Sequence, residues 1–191
     1  MSWIPRKLFS YVMTSDTGFA PCVSDGLLTL ATCKPDIRRL ASDERHDYVM
    51  GIRGLMLARK SNTEPRRLVY LAEVSEKIGF DSYYNDARHK GRKDNIYHRA
   101  DGNWVQERNP YHKHINRRTD LKEPTVLLSR RFLYFGREAV ELGDELFSLF
   151  VRMSRKYKVS DLDEASLKKL ESVFGENRAL LCKRAEPTES R

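Results

Sequence analysis

The amino-acid sequence is dominated by short apolar segments of strand length, each bounded by residues that favour turns. Lys7–Met13 and Leu27–Ala31 are two of them, and Arg66–Ile78 is the longest, with alternating apolar positions that predict one buried face. The remaining strand-like segments are Asp47–Ile52, Asn103–Gln106, Thr125–Ser129 and Phe132–Phe135. Many short strands around one long strand favour a small, partly open β-barrel, with an α+β sandwich as the alternative.

Helical patterns are few and lie mostly in the C-terminal third. Pro35 opens a short predicted helix over Asp36–Ala41, because proline is favoured in a first turn, and Phe80–Asp86 predicts another. Apolar residues then fall at helical spacing within Glu145–Met153 and Leu162–Phe174. The predicted α+β chain has three parts, which are a β-rich domain at 1–137, a helical extension at 138–183 and a disordered tail at 184–191.

The charge balance points to a polyanionic partner. The 191 residues include 35 Lys and Arg against 27 Asp and Glu, a net charge of +8, which favours nucleic acid or a nucleotide. No run approaches the roughly 18 apolar residues of a membrane helix, and Met1–Lys7 lacks the apolar segment of a signal peptide. We therefore expect a cytoplasmic protein without a membrane partner, whose three cysteines are free thiols.

Basic residues concentrate in the polar connection from 87 to 120. One cluster spans Arg88–Lys93 and includes Arg92, and a second spans Arg108–Arg118. Tyr97, Trp104 and Tyr111 are interleaved with them. Basic groups neutralise phosphates and aromatic faces stack on bases, so we expect segment 88–118 to bind a nucleic-acid backbone.

Reactive side chains cluster beside the first two strands. Asp16 follows the first strand, and Cys33 and Lys34 follow the second. If these segments lie side by side in a sheet, their polar groups meet in one small pocket. Lys34 or the helix that begins near Pro35 would lower the pKa of the Cys33 thiol and make it a nucleophile. Asp16 or Asp36 would move protons, and Asp16 is alternatively placed to bind a guanine-like base. Cys33, Asp16 and Lys34 form the predicted catalytic set.

Structural roles are the alternatives for these residues. Cys33 is equally consistent with a small buried apolar residue, and Asp16 with an Asx turn. Asn95 offers an amide edge to a base, Tyr97 a stacking face and His98 a general base, or else Asn95 holds a turn and His98 lies on the surface. The other predicted nucleobase or DNA-binding residues are Ser15, Thr17, Phe19, Arg38, Arg92 and Lys93.

We predict neither a metal nor a cofactor. His112 and His114 alternate as two zinc ligands on a strand would, and His98, Asp101 or Asp120 would complete the set. However, the surrounding Arg and Lys residues repel a cation.

Ordered motifs along the first 137 residues carry a family likeness. They are Lys7–Val12, Gly18–Pro21, Thr29–Pro35, Ile37–Arg38, Arg67–Tyr70, Phe80–Asp81, Asp94–Tyr97, Val126–Ser129, Phe132 and Tyr134–Gly136. Together they resemble the second class of the nucleotide modification associated domain family, over about residues 6–137.

The resemblance implies a role in bacterial or phage systems that build modified DNA bases such as 7-deazaguanines. A protein that only binds such a base would serve recruitment or phage defence. The resemblance also suggests the modified-base-binding barrel of the pseudouridine synthase and archaeosine transglycosylase type. Our first hypothesis is an enzyme that hydrates the nitrile of 7-cyano-7-deazaguanine in DNA to the carboxamide, with the base flipped out of the duplex. The alternative is a non-catalytic module that binds a modified base in DNA or RNA. The expected partners are DNA with a modified purine and other proteins of a modification gene cluster.

Overall fold

The computed structural model describes residues 5–153 and 156–189. None of the helices formed by these residues has the length and apolar character needed to span a membrane. The strands within these ranges are, in chain order, β1 (Lys7–Met13), β2 (Cys22–Ser24), β3 (Leu27–Leu30), β4 (Tyr48–Arg53), β5 (Leu68–Glu73), β6 (Glu76–Gly79), β7 (Tyr97–Ala100), β8 (Asn103–Gln106), β9 (Thr125–Ser129), β10 (Arg131–Tyr134) and β11 (Lys158–Asp161).

Short helices connect or cover these strands. The α-helices are α1 (Pro35–Leu40), α2 (Leu55–Ser61), α3 (Phe80–Asn85), α4 (Arg117–Asp120), α5 (Asp144–Phe150) and α6 (Glu164–Glu176). Single 3₁₀ turns also occur, one of them at His114–Asn116.

The strands are divided between two main sheets and one hairpin. The larger sheet has the order β10-β5-β4-β1-β11, in which only β1 and β4 run parallel. The smaller sheet is antiparallel with the order β2-β3-β9-β6, and β7 pairs with β8. The α+β class is confirmed. The described strands do not close into a barrel, so the barrel and its transglycosylase-type likeness are unconfirmed.

Alternation along β1 explains how the layers stack. Phe9 and Tyr11 point into a core that also contains Leu28 and Leu30 of β3, so this core lies between the two sheets. Leu8 points to the opposite face of the large sheet, where residues of α5 and α6 cover it. The outer face of the small sheet packs against α3 and the start of β7. Each sheet therefore contributes buried apolar residues from both of its faces.

The predicted strand Arg66–Ile78 is in fact two strands in different sheets. β5 belongs to the large sheet and β6 to the small one. The chain changes sheets at its middle, where Val74 N donates to Asp47 O and Ser75 N donates to Leu128 O. Apolar residues continue through this crossing, so the sequence pattern alone does not mark it.

Residues after 137 contribute to the same layers. β11 adds an edge strand to β1, and Leu170 and Phe174 of α6 are buried on the large sheet. In the C-terminal tail, Thr188 donates from its backbone N and its hydroxyl to the Asp16 carboxylate. The division into domain, helical extension and disordered tail stays a prediction.

Gly136 tests whether the tail packs as described. It has a φ of +54°, and a Cβ there would overlap the carbonyl oxygen of Glu186 in the tail. Gly26, in the turn between β2 and β3, has a φ of +68°, and beyond its chain neighbours a Cβ added there would meet no atom of the described residues within 4 Å. We expect Gly136→Ala and Gly26→Ala to share a backbone cost of about 1–2 kcal/mol. Gly136→Ala should lose about 1–3 kcal/mol more, as overpacking does. Urea unfolding of both variants measures the difference, and equal losses would contradict the packed tail.

Candidate functional site

A cavity of about 220 Å³ opens where the ends of the two sheets meet. The loop after β1 supplies Ser15, Thr17 and Phe19 to its wall, and the turn after β3 supplies Cys33 and Lys34. A third wall comes from segment 111–116. The two motifs therefore converge as predicted, but from different sheets, since β1 and β3 do not pair.

The turn that carries Cys33 and Lys34 has an unusual backbone. Both residues lie in the left-handed region, with φ values of 61° and 44°. Such conformations are costly for residues other than glycine and persist only where the surroundings hold them. Here Cys33 N donates to Asp120 Oδ1 at 2.7 Å, and Arg38 Nε donates to Cys33 O at 2.9 Å.

One buried carboxylate joins the walls of the cavity. Asp120 is 1% exposed, and its Oδ2 accepts from His112 Nε2 at 2.5 Å and from the Tyr97 hydroxyl at 3.0 Å. Its Oδ1 accepts from Cys33 N. The arrangement fixes the imidazole of His112 and the Cys33 turn on either side of one anion. Both residues line the cavity.

Arg38 is buried beneath the cavity wall, where it donates to the backbone around Asp120 and does not reach the surface. Its buried guanidinium donates to the carbonyl oxygens of Thr125 at 2.7 Å and Asp120 at 3.0 Å, and also to that of Glu123. Burial lowers the pKa of Arg38, an effect that the nearby Asp120 opposes. The predicted contact of Arg38 with a nucleobase or DNA is replaced by these backbone contacts.

The pKa of Cys33 is shifted in the direction opposite to the sequence expectation. Burial raises the pKa of the thiol, and the charge of Asp120 raises it further. Thr32, Lys34 and Arg38 favour the thiolate but do not outweigh burial. Burial also lowers the pKa of the Lys34 ammonium. The cavity therefore holds a thiol that stays protonated at rest, beside an amine that loses its proton more easily than usual.

Aromatic rings form one side of the cavity. The Phe19 ring stacks on His112 with centroids 5.2 Å apart, and on Tyr111 at 6.0 Å. Lys93 Nζ lies 4.9 Å from the centre of the Tyr111 ring, and Lys34 Nζ lies 4.3 Å from that of Tyr11. Flat apolar faces with ammonium groups nearby suit an aromatic, electron-rich ligand.

The Asp16 carboxylate does not face Cys33, contrary to the expectation. Its Oδ1 accepts from the Tyr134 hydroxyl at 2.8 Å, and its Oδ2 accepts from Thr188 N and Oγ1 at 2.9 and 2.7 Å. These contacts anchor the tail to the loop after β1. Its neighbours Ser15 and Thr17 do line the cavity.

Arg92 lies in a buried polar network away from the cavity. It donates to the Tyr83 hydroxyl at 2.9 Å and to Thr29 Oγ1 at 3.0 Å, and further to two backbone oxygens of β2. Asp94 accepts from the same two hydroxyls. Arg92 is 8% exposed, so its guanidinium serves the fold rather than a phosphate.

Asn95 and His98 do not line the cavity. Asn95 Nδ2 donates to the carbonyl oxygens of Tyr83 and His89, at 3.2 and 3.1 Å, which holds a turn. His98 lies on the β7–β8 hairpin, with Nε2 2.9 Å from Glu107 Oε1. Tyr97, from the same motif, is buried, and its ring stacks on Phe80 rather than on a ligand.

The two basic clusters differ in what they leave exposed. In the first, Arg88 pairs with Asp86, and His89 and Arg92 are buried. The stretch 108–119 contains no acidic residue, and its members Arg108, Lys113 and Arg118 are exposed. This second cluster is therefore the cationic surface next to the cavity. Within residues 5–153 and 156–189, no group of three or more His, Cys, Asp or Glu residues is arranged to hold a metal ion.

Asp120 and His112 are site residues that the sequence pattern predicts only as candidate zinc ligands. The one sequence signal for Asp120 is that it is the first acid after the basic stretch 108–119. Its contact with Cys33 spans 87 residues and has no local signature.

Comparison with family models gives a match to nucleotide modification associated domain 2, over residues 5–190. The chain belongs to this family. The match confirms the resemblance and extends it beyond residue 137 to nearly the whole chain. Membership indicates a role in nucleotide modification. Neither proteins of curated function nor solved structures give a significant match.

Alkylation tests the protonation state of Cys33. Because burial raises the pKa of this thiol, little thiolate exists at neutral pH. We expect iodoacetamide to modify Cys33 more slowly than free cysteine at neutral pH. The rate should still be rising at alkaline pH values where that of free cysteine has levelled off. Peptide mass spectrometry after timed labelling measures both rates.

Lys34→Met provides the matched control, since Lys34 favours the thiolate. This variant should slow alkylation of Cys33 further and leave that of Cys182 unchanged. If Cys33 were labelled faster than free cysteine at neutral pH, it would carry an activated thiolate, which would contradict the raised pKa of this thiol.

Proposed function

We propose that this protein acts on a modified purine base in DNA, and that the base enters the cavity between the sheets. The reaction that fits best is hydration of the nitrile of 7-cyano-7-deazaguanine to the carboxamide. The observation that supports the proposal is that Asp120 accepts from the backbone N of Cys33 at 2.7 Å and from His112 Nε2 at 2.5 Å, so that one carboxylate holds both residues at the cavity wall. A thiol, an imidazole and an orienting carboxylate are the groups that nucleophilic catalysis requires.

The size and lining of the cavity support a single flat heterocycle. Sites for drug-sized molecules measure roughly 300–1,000 Å³, and this cavity is smaller, at about 220 Å³. Phe19 and Tyr111 offer flat faces, and Ser15, Thr17 and Asn116 offer hydrogen-bonding groups around them. In this proposal the hydroxyls and the amide bind the edges of the purine, and the 7-substituent points towards Cys33.

The first half of the reaction forms a thioimidate. His112 Nε2 is committed to Asp120, so the other ring nitrogen, Nδ1, takes the proton from the Cys33 thiol. The sulfur then attacks the nitrile carbon, an S–C bond forms, and one π bond of the C–N group breaks. The nitrile nitrogen receives the proton from His112. Asp120 stabilises the imidazolium that forms between these steps.

The second half adds water and restores the thiol. Water adds across the C=N bond, with its oxygen on carbon and its proton delivered to nitrogen through His112. The C–S bond then breaks, and the hydroxyl proton passes to the leaving sulfur of Cys33. The net change is one water added to the nitrile. Asp16 has no step in this scheme, because its carboxylate is occupied by Tyr134 and Thr188.

A non-catalytic binding module is the second candidate. The raised pKa of Cys33 favours it, because a thiol that stays protonated is a weak nucleophile without a base. The same aromatic wall and hydroxyl groups would then bind a modified base without changing it.

Nucleoside analysis separates the two candidates. DNA that contains 7-cyano-7-deazaguanine is incubated with the protein, digested and measured by mass spectrometry. We expect the wild type to convert the nitrile to the carboxamide and Cys33→Ala to abolish conversion. His112→Asn should slow conversion by at least about 100-fold.

Two controls show whether a loss of conversion is caused by the loss of the Cys33 thiol. Cys182→Ala should convert the base like the wild type, because Cys182 does not line the cavity. DNA binding by Cys33→Ala should stay within about twofold, since the thiol does not bind the backbone. A wild type that binds the modified DNA but leaves its nucleosides unchanged is a binding module. Both candidates are refuted if the wild type neither binds the modified DNA nor converts its base.

A further inference from the structure

Ile115 occupies a position that packing does not explain. Its side chain is 83% exposed, more than any other large apolar residue among the described ones. Single exposed apolar residues are common and need no explanation by themselves. Two further observations make Ile115 different, and they concern its place beside the cavity and the charge around it.

The first observation is position. Ile115 lies in the middle of the 3₁₀ turn His114–Asn116. Asn116 lines the cavity, as do Tyr111 and His112 from the same segment. Adjacent Cα atoms are about 3.8 Å apart, so Ile115 stands at the rim of the cavity and points its apolar side chain into solvent.

The second observation is charge. Ile115 lies within the acid-free stretch 108–119, between the exposed residues Lys113 and Arg118. Closely spaced cations of this kind match the phosphates of nucleic acid. An apolar tip surrounded by them would lie against the bases, where the nucleic acid is apolar.

We propose that Ile115 is a wedge that enters duplex DNA and fills the space left by the base that moves into the cavity. The inference rests on the proposed function and names its substrate form, a base within a duplex. A base inside a duplex must leave the stack before any group can reach it, at a cost in stacking. Apolar side chains that insert between base steps offset such a cost in other DNA-binding proteins. Single-stranded DNA has no gap to fill and does not need the wedge.

Fluorescence of 2-aminopurine tests the wedge. The probe is a duplex with 7-cyano-7-deazaguanine at the target position and 2-aminopurine next to it, whose emission rises when its neighbour leaves the stack. A second duplex carries guanine at the target. Full-length Cys33→Ala protein is used as the background, so that the target base stays unchanged. We expect this background to raise the emission of the first duplex.

Substitutions at Ile115 in this Cys33→Ala protein should affect the response to duplex DNA but not the binding of single-stranded DNA. Ile115→Ser should weaken the response to the duplex by about tenfold, and Ile115→Leu should keep it. Binding of the single strand of the same sequence should stay within about twofold for both. Leu55→Ser is the matched control, because Leu55 is also exposed, at 59%, but lies on α2 outside the basic stretch. It should change nothing.

Each contrary outcome has a distinct meaning. Equal loss of duplex and single-strand binding by Ile115→Ser would assign Ile115 to the shape of the cavity and overturn the wedge. The wedge would also be overturned if Ile115→Ser had no effect on the fluorescence. The same would hold if the Cys33→Ala protein left the target base stacked in both duplexes. Binding to phosphatidylglycerol vesicles that Ile115→Ser abolishes, with an unchanged duplex response, would assign the residue to a membrane surface.

The proposed function fails separately from the wedge. A wild type that converts the nitrile only in single strands keeps the reaction and loses the wedge. A protein that unstacks the duplex through Ile115 but never converts the nitrile keeps the wedge and loses the reaction.

Discussion

The buried carboxylate of Asp120 is the constraint on which the site depends. An ionised carboxylate without partners is costly to bury, so each of its oxygens needs donors. Cys33 N, the Tyr97 hydroxyl and His112 Nε2 supply them, and the guanidinium of Arg38 lies 3.8 Å away. Because these donors come from separate segments of the chain, satisfying one anion also fixes the turn after β3, the start of β7 and the loop at 111–116.

The buried carboxylates of Asp16 and Asp120 have different roles. Asp16 accepts hydrogen bonds from Tyr134 and Thr188 and so fastens the C-terminal tail to the loop after β1. Asp120 organises the cavity instead. Because the Asp16 carboxylate is hydrogen-bonded to Tyr134 and Thr188, the loop after β1 presents Ser15 and Thr17, but not this carboxylate, to the cavity. The tail stabilises one side of this loop, and a ligand would contact the other.

Local features of the site were predictable from sequence, and distant contacts were not. The bounds of β1 followed from its strand pattern. Ser15 and Thr17 were expected to meet Cys33 and Lys34 as ends of neighbouring strands, whereas the structure brings them together from two different sheets. The partners of Asp16 lie 118 and 172 residues away, and no periodicity points to them. Burial reverses the expected pKa shift of Cys33, since burial depends on the three-dimensional structure and not on the neighbouring lysine alone.

Capture of a covalent intermediate tests the central claim, that Cys33 attacks a nitrile held in the cavity. The protein is mixed with DNA that contains 7-cyano-7-deazaguanine, quenched rapidly in acid and analysed by peptide mass spectrometry. The account predicts a thioimidate on the peptide that contains Cys33, and none on the peptides of Cys22 or Cys182. Conversion of the base without any adduct on Cys33, or with an adduct on another cysteine, would contradict it.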